Sequence, residues 1–164
     1  MAEQPDYDVI IIGAGPGGYV AAARAGQLGM KAACVDKFER LGGVCLNYGC
    51  IPSKALLDSS EYVFLAQNTF AEHGIKVDPP GIDLKTMMGR KDEVVRALTD
   101  NVRKMLEANK VDIFKGTARL SGKSEVTVTQ SAASSARKGE ETVINGKYIL
   151  LATGSRPVQL GGLP

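Results

Sequence analysis

Several residue types are scarce in this sequence, and each scarcity excludes a class of protein. Three cysteines, one histidine and no tryptophan occur among 164 residues. Three cysteines are too few for the disulfide framework of a small secreted domain. Lysine plus arginine number 20 and aspartate plus glutamate number 18, so no strong positive charge indicates nucleic-acid binding. No apolar run reaches the roughly 18 residues that a membrane-spanning helix needs.

The N-terminal residues 1–8 are polar and acidic, unlike a secretory signal. We therefore expect a cytoplasmic protein, or a mitochondrial-matrix protein if a transit peptide has been removed. The composition, with 44% hydrophobic and 23% charged residues, is that of a globular chain. The length is sufficient for one domain with its own core.

A βαβ unit is predicted in the first 36 residues. The β-branched run Tyr7–Ile12 indicates a buried parallel strand. A helix rich in small residues is expected over residues 18–28, followed by a second strand over residues 31–35 that ends at Asp36. The first strand and the helix are joined by a segment that we call the glycine loop: Gly13, Ala14, Gly15, Pro16, Gly17 and Gly18.

The glycine loop has the pattern of a dinucleotide-binding fingerprint. In such a loop Gly13 permits a tight turn, Gly15 allows a pyrophosphate to approach the backbone, and Gly18 lets the helix pack closely on the sheet. Asp36 is placed to accept hydrogen bonds from ribose hydroxyls. The alternative is a glycine turn without a ligand, in which Asp36 only ends a strand.

The rest of the chain predicts two long helices and a small antiparallel meander. We expect helices over residues 52–72 and 83–109, joined by a proline turn at residues 78–81 into an antiparallel hairpin. Strands are predicted over residues 111–120 and 125–130, and a polar loop over residues 131–140. Residues 142–144 and 147–152 are expected to form a β-hairpin around an Asn145-Gly146 turn. The fold class is therefore α/β, with a parallel central sheet.

Two cysteines lie close together in the sequence, Cys45 and Cys50. On a regular helix this spacing would separate their Cα atoms by roughly 8.6 Å, whereas a disulfide needs less than about 7 Å. Gly49 and Pro52 permit the helix to be distorted there, which would allow a bridge. Lys54, one helical turn after Cys50, would favour a thiolate.

Other interpretations of the pair are two buried thiols or half of a metal site. A metal site is disfavoured because the sequence has no second cysteine pair and its one histidine, His73, lies far along a helix, where we expect it at the surface. The third cysteine, Cys34, lies in an apolar run and is expected in the core.

The segment that contains both cysteines, GGVCLNYGCIPSKALL at residues 42–57, resembles the active-site segment of the flavin-dependent pyridine nucleotide–disulfide oxidoreductases. Residues 7–13 and 152–157 resemble the same family, so the resemblance covers nearly the whole chain. The departures are small: Asp36 stands where glutamate is usual, Val44 replaces threonine and thus lacks its hydroxyl, and Tyr48 replaces a small residue.

This resemblance implies a Rossmann-like FAD-binding domain, a redox disulfide between Cys45 and Cys50, and NAD as the final electron acceptor. Cys45 would exchange with the substrate, and Cys50 would lie against the flavin as a thiolate. The other residues that it implies for FAD binding, besides the glycine loop and Asp36, are Lys37, Gly42, Gly43, Val44, Lys54, Gly116, Ala152, Thr153, Gly154 and Ser155.

Among the family, the sequence is most similar to the members that oxidise dihydrolipoamide, which is carried on a lipoyl domain of a 2-oxoacid dehydrogenase or glycine cleavage complex. Mercuric and glutathione reductases, or a non-catalytic FAD-binding module, are the alternatives. Members of the family are longer homodimers, so we expect residues 1–164 to be the N-terminal part of the FAD-binding domain. The NAD-binding domain and the interface domain, with its histidine–glutamate base, would then be absent, and this piece alone would not turn over.

Overall fold

A computed structural model describes residues 5–78, 80–130, 139–158 and 161. Within these residues the chain forms five strands and four α-helices. In chain order these are β1 (Tyr7–Ile12), α1 (Pro16–Gln27), β2 (Ala32–Asp36), α2 (Gly43–Tyr48), α3 (Cys50–Asn68), a 3-10 turn (Phe70–His73), α4 (Leu84–Ala108), β3 (Asp112–Leu120), β4 (Glu125–Gln130) and β5 (Glu141–Leu151). The α/β class is confirmed.

The five strands close into a barrel in the order β1-β2-β3-β4-β5. Strand β1 pairs in parallel with β2 and with β5, and β2 pairs in parallel with β3. Strand β4 pairs antiparallel with β3 and β5. The expected parallel sheet and antiparallel meander are therefore both present. They are joined into one closed arrangement because β3 and β5 run through both, which the sequence analysis did not anticipate.

Two apolar clusters lie on opposite faces of the parallel sheet, because side chains alternate along each strand. Ile10 and Ile12 of β1 pack with Val126 and Val128 of β4 inside the barrel. Ile11 between them points the other way and shares a cluster with Ala22 and Leu106 of helices α1 and α4, among others. The parallel sheet is thus covered by the meander on one face and by helices on the other.

The predicted hairpin around Asn145-Gly146 is wrong. Both residues lie inside the continuous strand β5, and Gly146 is not among the glycines with positive φ that a primed turn would need. A Cβ at Gly146 would lie 2.8 Å from the side chain of Ile10. This glycine therefore permits close packing at the point where β5 leaves β4, which pairs with residues 141–145, and joins β1.

The helical hairpin is confirmed, with different bounds. Instead of one helix from residue 52 to 72, α3 begins at Cys50 and ends at Asn68, and the 3-10 turn follows and closes at Gly74, which has φ 74°. Helix α4 begins after Asp83, whose carboxylate accepts hydrogen bonds from the N–H groups of Lys85 and Thr86. The helices run antiparallel.

One arginine of α4 makes an ion pair and hydrogen bonds to α3. Arg90 of α4 binds the carboxylate of Asp58 at 2.7 Å and donates to the carbonyl of Ala55, both on α3. His73 is exposed, as expected. The expected proline turn includes residue 79 and the expected polar loop includes residues 131–138, which lie outside the described residues. No helix in the described part of the chain has the length and apolar character to cross a membrane.

Candidate functional site

The glycine loop is a tight turn between β1 and α1 in which backbone atoms touch directly. Gly13 has φ 102°, and a Cβ there would clash with the carbonyl of Ala152. A Cβ at Gly18 would clash with the carbonyl oxygen of Gly13. Because each neighbour is backbone, neither can move aside for a side chain. The roles predicted for Gly13 in the turn and for Gly18 in close packing agree with this geometry.

The middle of the glycine loop is open. A Cβ at Gly15 would meet only the Cα of Gly43, at 3.8 Å, and one at Gly17 would meet nothing within 4 Å. Pro16 occupies the first turn of α1 and Gly15 caps it without a side-chain hydrogen bond. The first N–H groups of a helix have no partner within the helix, and the helix end carries partial positive charge. This open backbone cradle fits a pyrophosphate, as in dinucleotide sites.

The carboxylate of Asp36 binds the backbone of the glycine loop. One carboxylate oxygen accepts from the N–H of buried Ala14 at 2.6 Å, and the other accepts from the N–H of Phe38 at 2.8 Å. Asp36 is therefore more than the end of a strand. Each carboxylate oxygen has a second lone pair that could accept a ribose hydroxyl. The adjacent Lys37 is exposed, with its ammonium 5.0 Å from the ring centre of Phe38.

The cysteine segment, which we define as residues 40–54, packs against the glycine loop. The N–H of Gly42 donates to the carbonyl of Ala14 at 2.8 Å. Gly42 and Gly43 both have positive φ, at 104° and 62°. A Cβ at Gly43 would lie 2.7 Å from the Cα of Gly15, so the two segments touch through their glycines. Sequence reasoning placed both glycines at the cofactor but did not predict this contact.

The helix carrying the cysteines is broken at Gly49. Cys45 lies in α2, Gly49 separates the two helices, and Cys50 is the first residue of α3. A Cβ at Gly49 would lie 3.2 Å from the carbonyl oxygen of Val44. The expected distortion is therefore present, although the separate helix α2 was missed. Without the break, the spacing of the two cysteines would keep their sulfur atoms apart.

The thiols of Cys45 and Cys50 are both free and interact with each other. A hydrogen bond with the Cys50 side chain, aided by partial desolvation, raises the pKa of Cys45. The backbone N–H of Cys50 and the charge of Lys54 act in the opposite direction on this pKa. The structure thus brings the two cysteines and Lys54 together, as predicted, but the charge of Lys54 acts on Cys45.

Cys34 provides the contrast that the sequence predicted. It is fully buried in β2, and burial, with a smaller contribution from the charge of Asp36, raises its pKa to about 12. A thiol with that pKa is almost entirely protonated near neutral pH and is a poor nucleophile. Within the described residues, no three histidine, cysteine, aspartate or glutamate side chains cluster as metal ligands would.

The other predicted cofactor residues surround the glycine loop to different degrees. Ala152 donates its N–H to the carbonyl of Ile12 and lies beside Gly13 and Gly18; Thr153, Gly154 and Ser155 follow it and are exposed. Val44 is exposed on α2. Gly116 lies in β3, where a Cβ would clash with the carbonyl of Thr129 in β4. Sheet packing therefore explains this glycine without a ligand.

An apolar pocket beside the cysteines was not predicted. Its volume is about 320 Å³, and the residues that line it come from all four helices. They are Tyr19, Leu46, Ile51, Leu98, Asn101, Val102 and Met105. Leu46 and Ile51 directly follow the two cysteines in the chain, and Cys45 packs against the same apolar cluster. The sequence feature that could have indicated this pocket is the apolar residue after each cysteine. It does not reveal which residues of the other helices complete the lining.

Comparison with known proteins agrees with this geometry. Residues 7–164 match a family model described as pyridine nucleotide-disulphide oxidoreductase. The chain is 49% identical, over 96% of its length, to a mitochondrial dihydrolipoyl dehydrogenase of Pisum sativum and covers 30% of that relative. It is 50% identical, over 96% of its length, to dihydrolipoyl dehydrogenase 3 of Pseudomonas aeruginosa and covers 32% of it.

A relative with another name is nearly as similar. A leghemoglobin reductase of Glycine max is 47% identical over 96% of this chain, which covers 29% of that relative. The chain thus spans about a third of the length of the curated relatives that it matches.

Proposed function

The chain belongs to the pyridine nucleotide-disulphide oxidoreductase family, and we propose that it supplies the FAD-binding and redox-cysteine part of a dihydrolipoyl dehydrogenase. The whole enzyme would oxidise dihydrolipoamide to lipoamide and pass the electrons through FAD to NAD. Within the family, the names of the similar dehydrogenases support this choice.

The observation that carries the proposal is the contact between the Cys45 and Cys50 thiols beside the glycine loop. The break at Gly49 brings the thiols together, and the Gly15–Gly43 contact connects their segment to the loop. A dithiol placed beside a dinucleotide cradle is the arrangement that electron transfer between a disulfide and a flavin requires. A structural disulfide needs no such neighbour.

FAD fits the geometry of the loop. The open cradle at Gly15 and Gly17 would hold its pyrophosphate, and the second lone pairs of the Asp36 carboxylate would hold its adenosine ribose. When bound, FAD would carry the electron pair from the cysteines toward a nicotinamide. We further propose that Gly116 meets the adenine through its backbone, and that Lys37, Val44, Lys54 and residues 152–155 complete the site.

The cysteines would perform the exchange with the substrate. In the oxidised enzyme, one thiolate of dihydrolipoamide attacks the Cys45 sulfur, breaks the Cys45–Cys50 bond and leaves Cys50 as a thiolate. The second substrate thiol then attacks the mixed disulfide, forms the cyclic disulfide of lipoamide and releases Cys45. The substrate loses two electrons and two protons: the cysteine pair gains the two electrons, Cys45 takes up one proton as its thiol, and the other proton is released to solvent.

The different surroundings of the two cysteines support these roles. Cys45 is partly buried and packs against the cluster that includes Leu46 and Ile51, which line the apolar pocket. We propose that the aliphatic arm of the dithiol substrate enters this pocket and reaches Cys45. Cys50 is exposed at the start of α3, so its thiol has room for a flavin to lie against it.

We propose that the remaining FAD-binding strands, the NAD-binding domain and the interface domain belong to the same polypeptide, and that the whole enzyme is a homodimer with a lipoyl carrier domain as its partner. The covered share of the relatives supports this, as do Tyr148 and Leu151 of β5, which are about 60% exposed. We place the enzyme in the cytoplasm or in the mitochondrial matrix; the plant relative is named a mitochondrial enzyme.

The experiment is an assay of the intact protein, purified from its native source, with dihydrolipoamide and NAD, with mercuric ion, and with oxidised glutathione. We expect turnover with dihydrolipoamide only. Two-electron reduction should produce a long-wavelength absorption band from a thiolate against flavin. Cys50→Ser should abolish this band and Cys34→Ala should retain it. A colourless intact protein that takes up no FAD would refute the proposal.

A leghemoglobin reductase is a second candidate, because a relative of that name is nearly as similar to the chain. It would require the same intact protein to reduce leghemoglobin, with a reduced nicotinamide as the electron donor. If this reduction is faster than the oxidation of dihydrolipoamide at equal protein concentration, the second candidate is favoured. If leghemoglobin reduction survives Cys45→Ser but lipoamide turnover does not, the cysteines serve only the dithiol reaction.

A further inference from the structure

We propose that Asn47 is the positioning residue of the redox pair: it holds the turn before α2 in place and so sets where the Cys45 thiol lies relative to Cys50 and the glycine loop. This inference rests on the function proposed above. It concerns a residue that is not among those lining the proposed substrate pocket and that the sequence analysis did not select.

The side-chain amide of Asn47 joins α2 to the preceding turn. Its Nδ2 donates to the carbonyl oxygens of Gly43 at 3.0 Å, Leu41 at 3.3 Å and Arg40 at 3.4 Å. Two N–H bonds are thus shared among three acceptors. Carbonyl oxygens repel one another when they converge, so a donor at their centre keeps this turn closed.

Helix α2 needs such support because it has only six residues and no side-chain cap at its N-terminus. Helices of this length are not stable by themselves. Leu46 anchors one face of α2 in the core, but a single buried side chain allows the helix to rotate about that contact. Asn47 is next to Leu46 and fixes the start of α2, where Gly43 touches Gly15 of the glycine loop.

The fixed turn determines the geometry of the thiol pair. Cys45 lies between Gly43, whose carbonyl Asn47 binds, and Asn47 itself. Its sulfur interacts with the side chain and backbone N–H of Cys50 and with the charge of Lys54, all on α3. If α2 rotates or the turn opens, these three interactions change together. A loss of the Asn47 amide should therefore alter Cys45 although neither cysteine is mutated.

The test replaces the amide by a carboxylate of the same shape in the intact protein. Asn47→Asp removes both donors and brings a negative charge to the three carbonyls. Asn68→Asp is the matched control, because the Asn68 amide also donates to the carbonyl four residues earlier, Phe64, at 2.9 Å, but lies at the far end of α3. Asn47→Ala is a second variant that loses the donors without adding charge.

Three readouts are measured on each folded variant: the pH dependence of iodoacetamide alkylation of Cys45, located by peptide mass mapping, the long-wavelength band after two-electron reduction, and kcat and KM for dihydrolipoamide. For both Asn47 variants we expect a shifted alkylation profile of Cys45 and a weaker long-wavelength band. We also expect kcat to fall by roughly tenfold with little change in KM, because small displacements of reacting groups lower rates by that factor or more. Asn68→Asp should match the wild type in all three.

Wild-type values of all three readouts in folded Asn47→Ala would overturn the proposal and leave Asn47 a role in stability only. Failure of the proposed function has a different signature: the wild type itself would show neither the band nor turnover. The alkylation profile needs no flavin and no turnover, so in that case it still decides whether Asn47 positions Cys45.

Discussion

The glycine loop and the cysteine segment touch each other but are held in place by different means. In the loop, backbone packs on backbone: a Cβ on Gly18 or Gly13 would strike a carbonyl of a neighbouring strand or turn. The cysteine segment is held mainly by side chains, with Leu46 in the core and the Asn47 amide on three carbonyls. The loop therefore tolerates no added atom at its closed positions, whereas the position of α2 in the cysteine segment depends on these two side chains.

The same difference appears in the cysteines. Cys34, in the strand beside the loop, is sealed in the core and its thiol is held protonated. Cys45 and Cys50, at the helix break, remain accessible and affect each other. A closely packed glycine loop next to an accessible pair of thiols is consistent with their proposed tasks, because the loop would only bind a cofactor while the sulfur atoms must form and break bonds.

Gly18→Ala should have the largest effect. Its Cβ would overlap the carbonyl oxygen of Gly13, so we expect a loss of about 3 kcal/mol or more in the free energy of unfolding, at or beyond the upper end for overpacking. Gly17→Ala is the control: its Cβ meets nothing within 4 Å, and alanine is favoured over glycine in a helix by about 1 kcal/mol. Urea denaturation measures both. Equal stability of the two variants would contradict the close contact between Gly18 and the carbonyl oxygen of Gly13.

Gly15→Ala should separate binding from folding. Its Cβ contacts only the Cα of Gly43, at 3.8 Å, so stability should stay within about 0.5 kcal/mol of the wild type. The methyl group would stand in the cradle proposed for the pyrophosphate, and we expect FAD affinity to fall roughly tenfold or more, equivalent to about 1.4 kcal/mol. Fluorescence titration with FAD in the intact protein gives the affinity. Unchanged affinity would place the pyrophosphate elsewhere.

Alkaline unfolding should reveal Cys34. Its pKa is about 12 in the folded protein and near 9.0 when exposed, so the folded state keeps a proton that the unfolded state releases. The stabilising contribution is complete below pH 9 and is lost as pH rises toward 12. The slope of stability against pH should be steeper than in Cys34→Ala by up to about 1.4 kcal/mol per pH unit. If stability falls with pH at the same slope in the wild type and in Cys34→Ala, the Cys34 thiol is not buried as described.

The smallest expected effect is a shift in the alkylation profile of Cys45, measured in Cys50→Ala, a variant that also loses the proposed redox disulfide and is not expected to turn over. This substitution removes the side-chain hydrogen bond that raises the pKa of Cys45 but keeps the backbone N–H that lowers it. The alkylation profile of Cys45 should therefore move to lower pH. Lys54→Met should move the profile to higher pH, because it removes a charge that lowers the pKa. If both variants shift the alkylation profile in the same direction, the opposite effects of Cys50 and Lys54 on the pKa of Cys45 are contradicted.

Local patterns predicted much of this fold because several decisive interactions are local. The run of β-branched residues at Tyr7–Ile12 and the alternation at Glu125–Gln130 define β1 and β4 with the bounds that the structure has. The helix break at Gly49 also follows from nearby residues, since the cysteine spacing is incompatible with a bridge on a regular helix. The Rossmann-like assignment and the individual cofactor contacts remain predictions.

Interactions between distant segments could not be obtained in this way. The Asn145-Gly146 pair is a strong turn signal, but β4 and β1 pair with the two halves of β5 and keep it extended. The partner of the Asp36 carboxylate, Ala14, lies 22 residues earlier. Asn47 is one polar residue among many in the sequence, and only the folded turn shows that three carbonyls converge on it.

Strands β3 and β5 each belong to both sheets, which has a consequence for how this unit comes apart. Neither the parallel nor the antiparallel part can peel away without breaking a strand of the other. Amide protons on both sides of the barrel should therefore exchange with solvent through a single opening event, at one common free energy. The residues proposed to bind the cofactor after β1 and after β5, at Gly13 and at Ala152, would then lose their positions together, so a partly unfolded chain would not retain part of the proposed site.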